Sequence, residues 1–149
     1  YWSAYTEAYT KKDIGWIKKS IRQLLRVWML LSLMAILMLV FSNYAYHAWV
    51  GDKIKIDFTL SMFMMLYVII ISFGNIFIMF LNGIGNIKLQ MIINIISMIA
   101  FIPLSYLLAV KLNFGIIGII TSIIICSLYG PLIAPFQVKN VLSKFNVER

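Results

Sequence analysis

Few side chains in this sequence can move a proton, attack a bond or hold a metal, and their spacing keeps them apart. His47 is the only imidazole, Cys126 the only thiol, and Asp and Glu together number five in 149 residues. General acid and base chemistry needs paired carboxylates or a metal cluster. The one close pair, Asp52 and Asp57, shares its short segment with Lys53 and Lys55, so it reads as a solvated turn. His47 stands near Asn43 and is expected as a neutral, hydrogen-bonded imidazole, since no carboxylate lies in the surrounding apolar sequence to carry a proton onward. A single Cys126 excludes an internal disulfide and a cysteine metal site; the expectation is a small packing residue. Gly83 and Gly85 form a G-x-G, but no strand leads into it, so it is not a phosphate cradle. These residues predict no enzyme, no metal and no cofactor.

The chemistry that remains is hydrogen bonding by uncharged side chains. Ser72, Asn75 and Asn82 are spaced three and then seven residues apart, beside Gly74, which lets a neighbour approach. Gln90, Asn94 and Ser97 fall at offsets of four and seven, again on one helical face. Two readings stand: hydrogen bonding between helices, worth about 0.6 kcal/mol each, or the lining of a substrate path by Ser72, Asn75, Gln90, Asn94 and Ser97.

These groups are carried by four apolar stretches, residues 27–50, 58–81, 89–110 and 114–138, none of which contains Asp, Glu, Lys or Arg. A hydrocarbon core of roughly 30 Å needs about 20 apolar residues at 1.5 Å rise each, so each stretch is long enough to cross it. With 62% apolar residues and a mean hydropathy of +0.94, too little polar surface is left to cover four such helices in water. The lipid bilayer is the expected solvent.

A net charge of +8 would point to nucleic acid in a soluble protein, but here the basic residues are sorted by loop and no nucleic-acid partner is expected. Lys11, Lys12, Lys18, Lys19, Arg22 and Arg26 precede the first stretch, Lys88 follows the second, and Lys139, Lys144 and Arg149 follow the fourth. Only Lys53, Lys55 and Lys111 fall on the other side. Positive loops stay cytoplasmic, which predicts that both ends and the turn at residues 82–88 face the cytoplasm.

Residues 13–26 have a different pattern. Ile14, Ile17, Ile21, Leu24 and Leu25 recur at helical spacing, Lys18, Arg22 and Arg26 line the other side, and Asp13 is placed to cap the start. This predicts a basic amphipathic helix resting on the headgroup boundary, with Lys18, Lys19, Arg22 and Arg26 at the membrane surface meeting anionic lipids; binding of an anionic substrate headgroup is the sharper alternative. Short connections predict antiparallel hairpins, with both asparagines of the Asn82 to Asn86 turn able to take left-handed backbone. Pro103, Pro131 and Pro135 are expected to bend their helices. Trp28, Tyr44, Tyr46, Trp49, Tyr106 and Tyr129 lie toward the ends of the stretches, as interfacial belts do. The expected fold is therefore all-α and polytopic: a connector with the amphipathic helix (1–26), four transmembrane helices in antiparallel hairpins (27–138) and a short basic tail (139–149).

Two segments go beyond composition. Tyr1-Trp2-Ser3-Ala4-Tyr5-Thr6-Glu7-Ala8, followed by Asp13 and the basic helix, resembles a connecting segment in the second lobe of bacterial O-antigen and polysaccharide flippases. Leu81-Asn82-Gly83-Ile84-Gly85-Asn86-Ile87-Lys88-Leu89-Gln90 is similar to a cytoplasmic turn in the same proteins, which belong to the multidrug, oligosaccharidyl-lipid and polysaccharide exporter superfamily. The resemblance implies about twelve spans in two lobes around a cavity, so this chain is expected to be the last four of them, partnered by spans that precede it. It also implies a bacterial inner-membrane location and transport of an undecaprenyl-diphosphate-linked oligosaccharide by alternating access. No charge lies within any of the four stretches, so the groups that bind the diphosphate or couple an ion are expected in the preceding part of the protein, or are absent. A drug exporter of the same superfamily, a membrane enzyme of lipid-linked sugar metabolism and a noncatalytic scaffold are the competing readings.

Overall fold

Within hydrocarbon a backbone must satisfy its own hydrogen bonds, and a single chain segment does so only as a helix. Every regular element in the computed structural model, which describes residues 2–51 and 57–147, is helical. In chain order these are α1 (Trp2–Thr10), α2 (Ile14–Val40), α3 (Ser42–Val50), α4 (Phe58–Gly83), α5 (Lys88–Tyr106), a first π turn (Leu107–Lys111), α6 (Gly115–Cys126), a second π turn (Tyr129–Ile133) and α7 (Ala134–Val147). Taken with their π turns, four helical stretches are long and apolar enough to span a membrane: Ile14–Val40, Phe58–Gly83, Lys88–Lys111 and Gly115–Lys144.

The basic segment and the first span are one helix. Asp13 caps it as expected, its Oδ1 accepting the Trp16 N–H at 2.9 Å, but nothing interrupts the helix where residue 26 meets 27. The break comes at Phe41, where φ of −90° and ψ of 4° separate α2 from α3. The apolar face of residues 13–26 does not rest on headgroups, as its amphipathic pattern alone predicts. Ile17 and Ile21 are buried, and Ile14, Leu24 and Leu25 pack beside them, in a core shared with Tyr5, Phe77, Phe80 and Val138. Protein apolar surface competes with lipid for the same stripe, and here the neighbouring helices cover it. Residues 139–147 of the expected tail continue α7, with Leu142 buried, and residues 148–149 lie outside the described residues.

α4 is the central helix, packed by α1, α2, α6, α7 and the second π turn. Its closest neighbour is made possible by Gly74, where a Cβ would stand 2.7 Å from the Gly130 carbonyl carbon and 2.8 Å from the Pro131 nitrogen. The approach expected of Gly74 is thus made to the bend that contains Pro131. α5 instead packs on α6 and the first π turn. It buries no residue, and Ile95, Ile96, Ile99 and Ile102 are exposed along it. α4 and α5 are joined by their shared turn but make few contacts along their lengths, and this separation shapes the site.

Candidate functional site

The turn between α4 and α5 is a Schellman closure. Asn86 N–H bonds the Leu81 carbonyl at 2.9 Å, Gly85 N–H bonds Asn82 at 3.2 Å, and Gly85 takes φ of +72°. The left-handed residue is the glycine and neither asparagine, because Gly has no Cβ to clash there. α1 is fastened to the same place. Thr6 Oγ1 donates to the Gly83 carbonyl, and a Cβ on Gly83 would meet Tyr5 Cβ at 2.9 Å and the Trp2 carbonyl at 3.1 Å. From the other side, Tyr129 O–H donates to Gln137 Oε1 at 2.8 Å and Gln137 Nε2 donates to the Asn86 carbonyl at 3.3 Å.

With the turn held on two sides and α5 diverging, a groove of about 640 Å³ opens beside it. The amides of Asn82, Gln90 and Asn94 line it, Met91 and Met98 supply apolar surface, and Trp2 stands at its rim, 62% exposed. Gln90 Oε1 is buried without a hydrogen-bond partner. Among the described residues no charged side chain lines the groove. It can donate and accept hydrogen bonds and offer an aromatic face, but it cannot neutralise a charge.

Of the path residues expected from sequence, Gln90 and Asn94 come together here and Asn82 joins them. Ser72 is satisfied within its own helix, bonding the Val68 carbonyl at 2.6 Å and the Ile69 carbonyl at 3.1 Å. Asn75 is exposed on α4 seven residues before Asn82, and Ser97 is partly buried on α5; neither lines the groove. Lys18 and Arg22 line a different groove with Lys139, whereas Lys19 and Arg26 are exposed outside both. Asp57 caps α4 through the Thr59 N–H at 3.1 Å; Asp52, Lys53 and Lys55 lie outside the described residues.

Trp28 and Tyr129, expected in interfacial belts, face protein: the Trp28 indole N–H donates to the Ile69 carbonyl at 3.0 Å, and Tyr129 is buried. Trp2 and Gln137 carry geometry that spacing did not disclose. The available signal for Gln137 was that it is the only amide in residues 114–138.

The MatE family model matches residues 3–107, a stretch that includes α1 from Ser3 onward, the turn and every lining residue of the groove except Trp2. The chain belongs to the MatE family. No curated protein and no solved structure matches it. Members of the MatE family are transporters rather than enzymes, within the exporter superfamily that the two sequence segments resemble. This MatE chain is accordingly a multi-pass membrane protein of an exporter family, and all of the groove but Trp2 lies in the portion that the family match covers.

Proposed function

We propose that this MatE-family protein moves a lipid-linked oligosaccharide, of the undecaprenyl-diphosphate type, across a bacterial inner membrane by alternating access for polysaccharide or O-antigen synthesis. The observation that carries this reading is the charge-free groove of Asn82, Gln90 and Asn94 with Trp2 at its rim. Sugar hydroxyls are both donors and acceptors, which suits amides, and the C–H face of a sugar ring suits an indole. The diphosphate needs cations that this groove does not hold, so this groove is assigned to the sugar alone.

A drug exporter is the second reading, supported by Met91, Met98 and Trp2, which together make a polarizable lining for an aromatic compound. Replacing Gln90 and Asn94 together with Leu in the intact protein separates the two. Loss of two hydrogen bonds near 1 kcal/mol each predicts roughly 10- to 30-fold slower transfer of lipid-linked sugar, at unchanged protein level and unchanged drug sensitivity. Increased drug sensitivity with normal surface polysaccharide would favour the second reading. If neither changes, the groove carries no cargo.

A further inference from the structure

A second groove, of about 500 Å³, runs between α2 and α7. It lies at the end of the bundle where Thr6 meets Gly83 and Gln137 meets Asn86, so it shares that end with the basic amino-terminal segment. Lys18 and Arg22, one helical turn apart, stand on the α2 side, and Lys139 stands opposite on α7. All three are exposed. Beneath them the floor is apolar, built from Ile21, Leu25, Phe77 and Val138.

Among the described residues no carboxylate lines this groove, and the Glu7–Lys11 ion pair lies outside it. Three like charges gathered over a low-dielectric floor repel one another, and an anion placed among them lowers that cost. A small soluble anion would answer the charge but leave the floor uncovered. A polypeptide strand would find no unpaired backbone here to bond, because both walls are helical. An amphiphile with a phosphate at one end and hydrocarbon at the other satisfies both the rim and the floor.

We propose that this groove binds one anionic phospholipid of the adjoining leaflet, its phosphate among Lys18, Arg22 and Lys139 and an acyl chain along the Leu25 and Phe77 floor. The site is separate from the amide groove and holds whatever the cargo is. It narrows the lipid contact expected of the basic segment to two of its four cations and adds one from the far end of the chain. Lys19 and Arg26 are left outside it.

The test uses the intact protein in nanodiscs, with a bimane fluorophore on Ser143→Cys in a Cys126→Ala background; Ser143 lines the groove and is exposed. Phosphatidylglycerol carrying a nitroxide on its acyl chain should quench the fluorophore at a mole fraction about tenfold lower than similarly labelled phosphatidylcholine. Joint Lys18→Gln, Arg22→Gln and Lys139→Gln should abolish that preference, whereas Lys19→Gln, Lys88→Gln and Lys144→Gln, which remove equal charge elsewhere, should keep it. Should the first triple variant not fold, Leu25→Trp, which fills the floor, should exclude the labelled chain and reduce quenching to background. Equal quenching by the two lipids, equal loss in both triple variants, or full quenching in Leu25→Trp overturns the proposal. So does the absence of quenching by either lipid, which would mean that another segment of the protein covers the groove.

Discussion

At the scale of single residues, the aromatic and amide groups are where burial and chemistry part from expectation. Trp28 is half-buried, its ring 5.1 Å from that of Phe73 and its N–H on the Ile69 carbonyl, so it joins α2 to α4. Trp28→Phe keeps most of the ring contact and removes the donor. It should destabilise the protein by about 1 kcal/mol, read as a lower melting temperature in detergent, whereas a belt residue would leave that temperature unchanged. On α1, the Lys11 ammonium 2.6 Å away holds the Glu7 carboxyl below its ordinary value and is itself held above its own. A depressed carboxylate adds stability above its unfolded-state value and loses it as pH falls through the folded-state value. Acid should therefore expose α1 to protease sooner, and Lys11→Gln should remove that acid-dependent step. The pair is fully exposed, so salt should weaken the same effect.

Between elements, glycine positions decide how closely helices approach. Gly74 faces backbone rather than a movable side chain, so Gly74→Ala must push α4 away from the second π turn, at a cost of about 1–3 kcal/mol. Gly15 gives the opposite sign. A Cβ there meets only Asp13 Oδ1 at 3.5 Å, an ordinary contact, and the position is in the first turn of α2. Gly15→Ala should stabilise by up to about 1 kcal/mol through helix propensity. Thermal unfolding of the two purified variants beside the parent checks both signs, and a loss of stability at Gly15 would contradict the account of α2 as one uninterrupted helix.

For the whole molecule, contacts between α1 and α4 and between α7 and the 84–87 turn bring both ends of the described chain to the end that holds this turn. The distribution of Lys and Arg then predicts that this end is cytoplasmic. Single cysteines at Lys88 and Lys55, in a Cys126→Ala background, report on opposite sides. An impermeant thiol reagent applied to intact cells should label Lys55→Cys and spare Lys88→Cys, and the reverse pattern would invert the orientation.

What the sequence by itself determined were the four apolar spans, the helix capped by Asp13 and their order. Runs of more than twenty apolar residues without a charge must be helical in lipid, and Asp13 stands where a helix start needs an acceptor, whereas the cap made by Asp57 and the left-handed step at Gly85 were disclosed only by the structure. The amides of α5 were legible as one face through their four-residue spacing, which is why Gln90 and Asn94 belong to the groove. Tertiary structure alone decided which helices are neighbours. Lipid and protein interior are equally apolar, so hydrophobic periodicity does not tell a face packed on α4 from one bathed in hydrocarbon. For that reason the inward turn of Trp28, the merging of the basic segment with the first span, the reach of Gln137 to Asn86 and the separation of α4 from α5 that opens the groove all depended on packing between segments far apart in sequence.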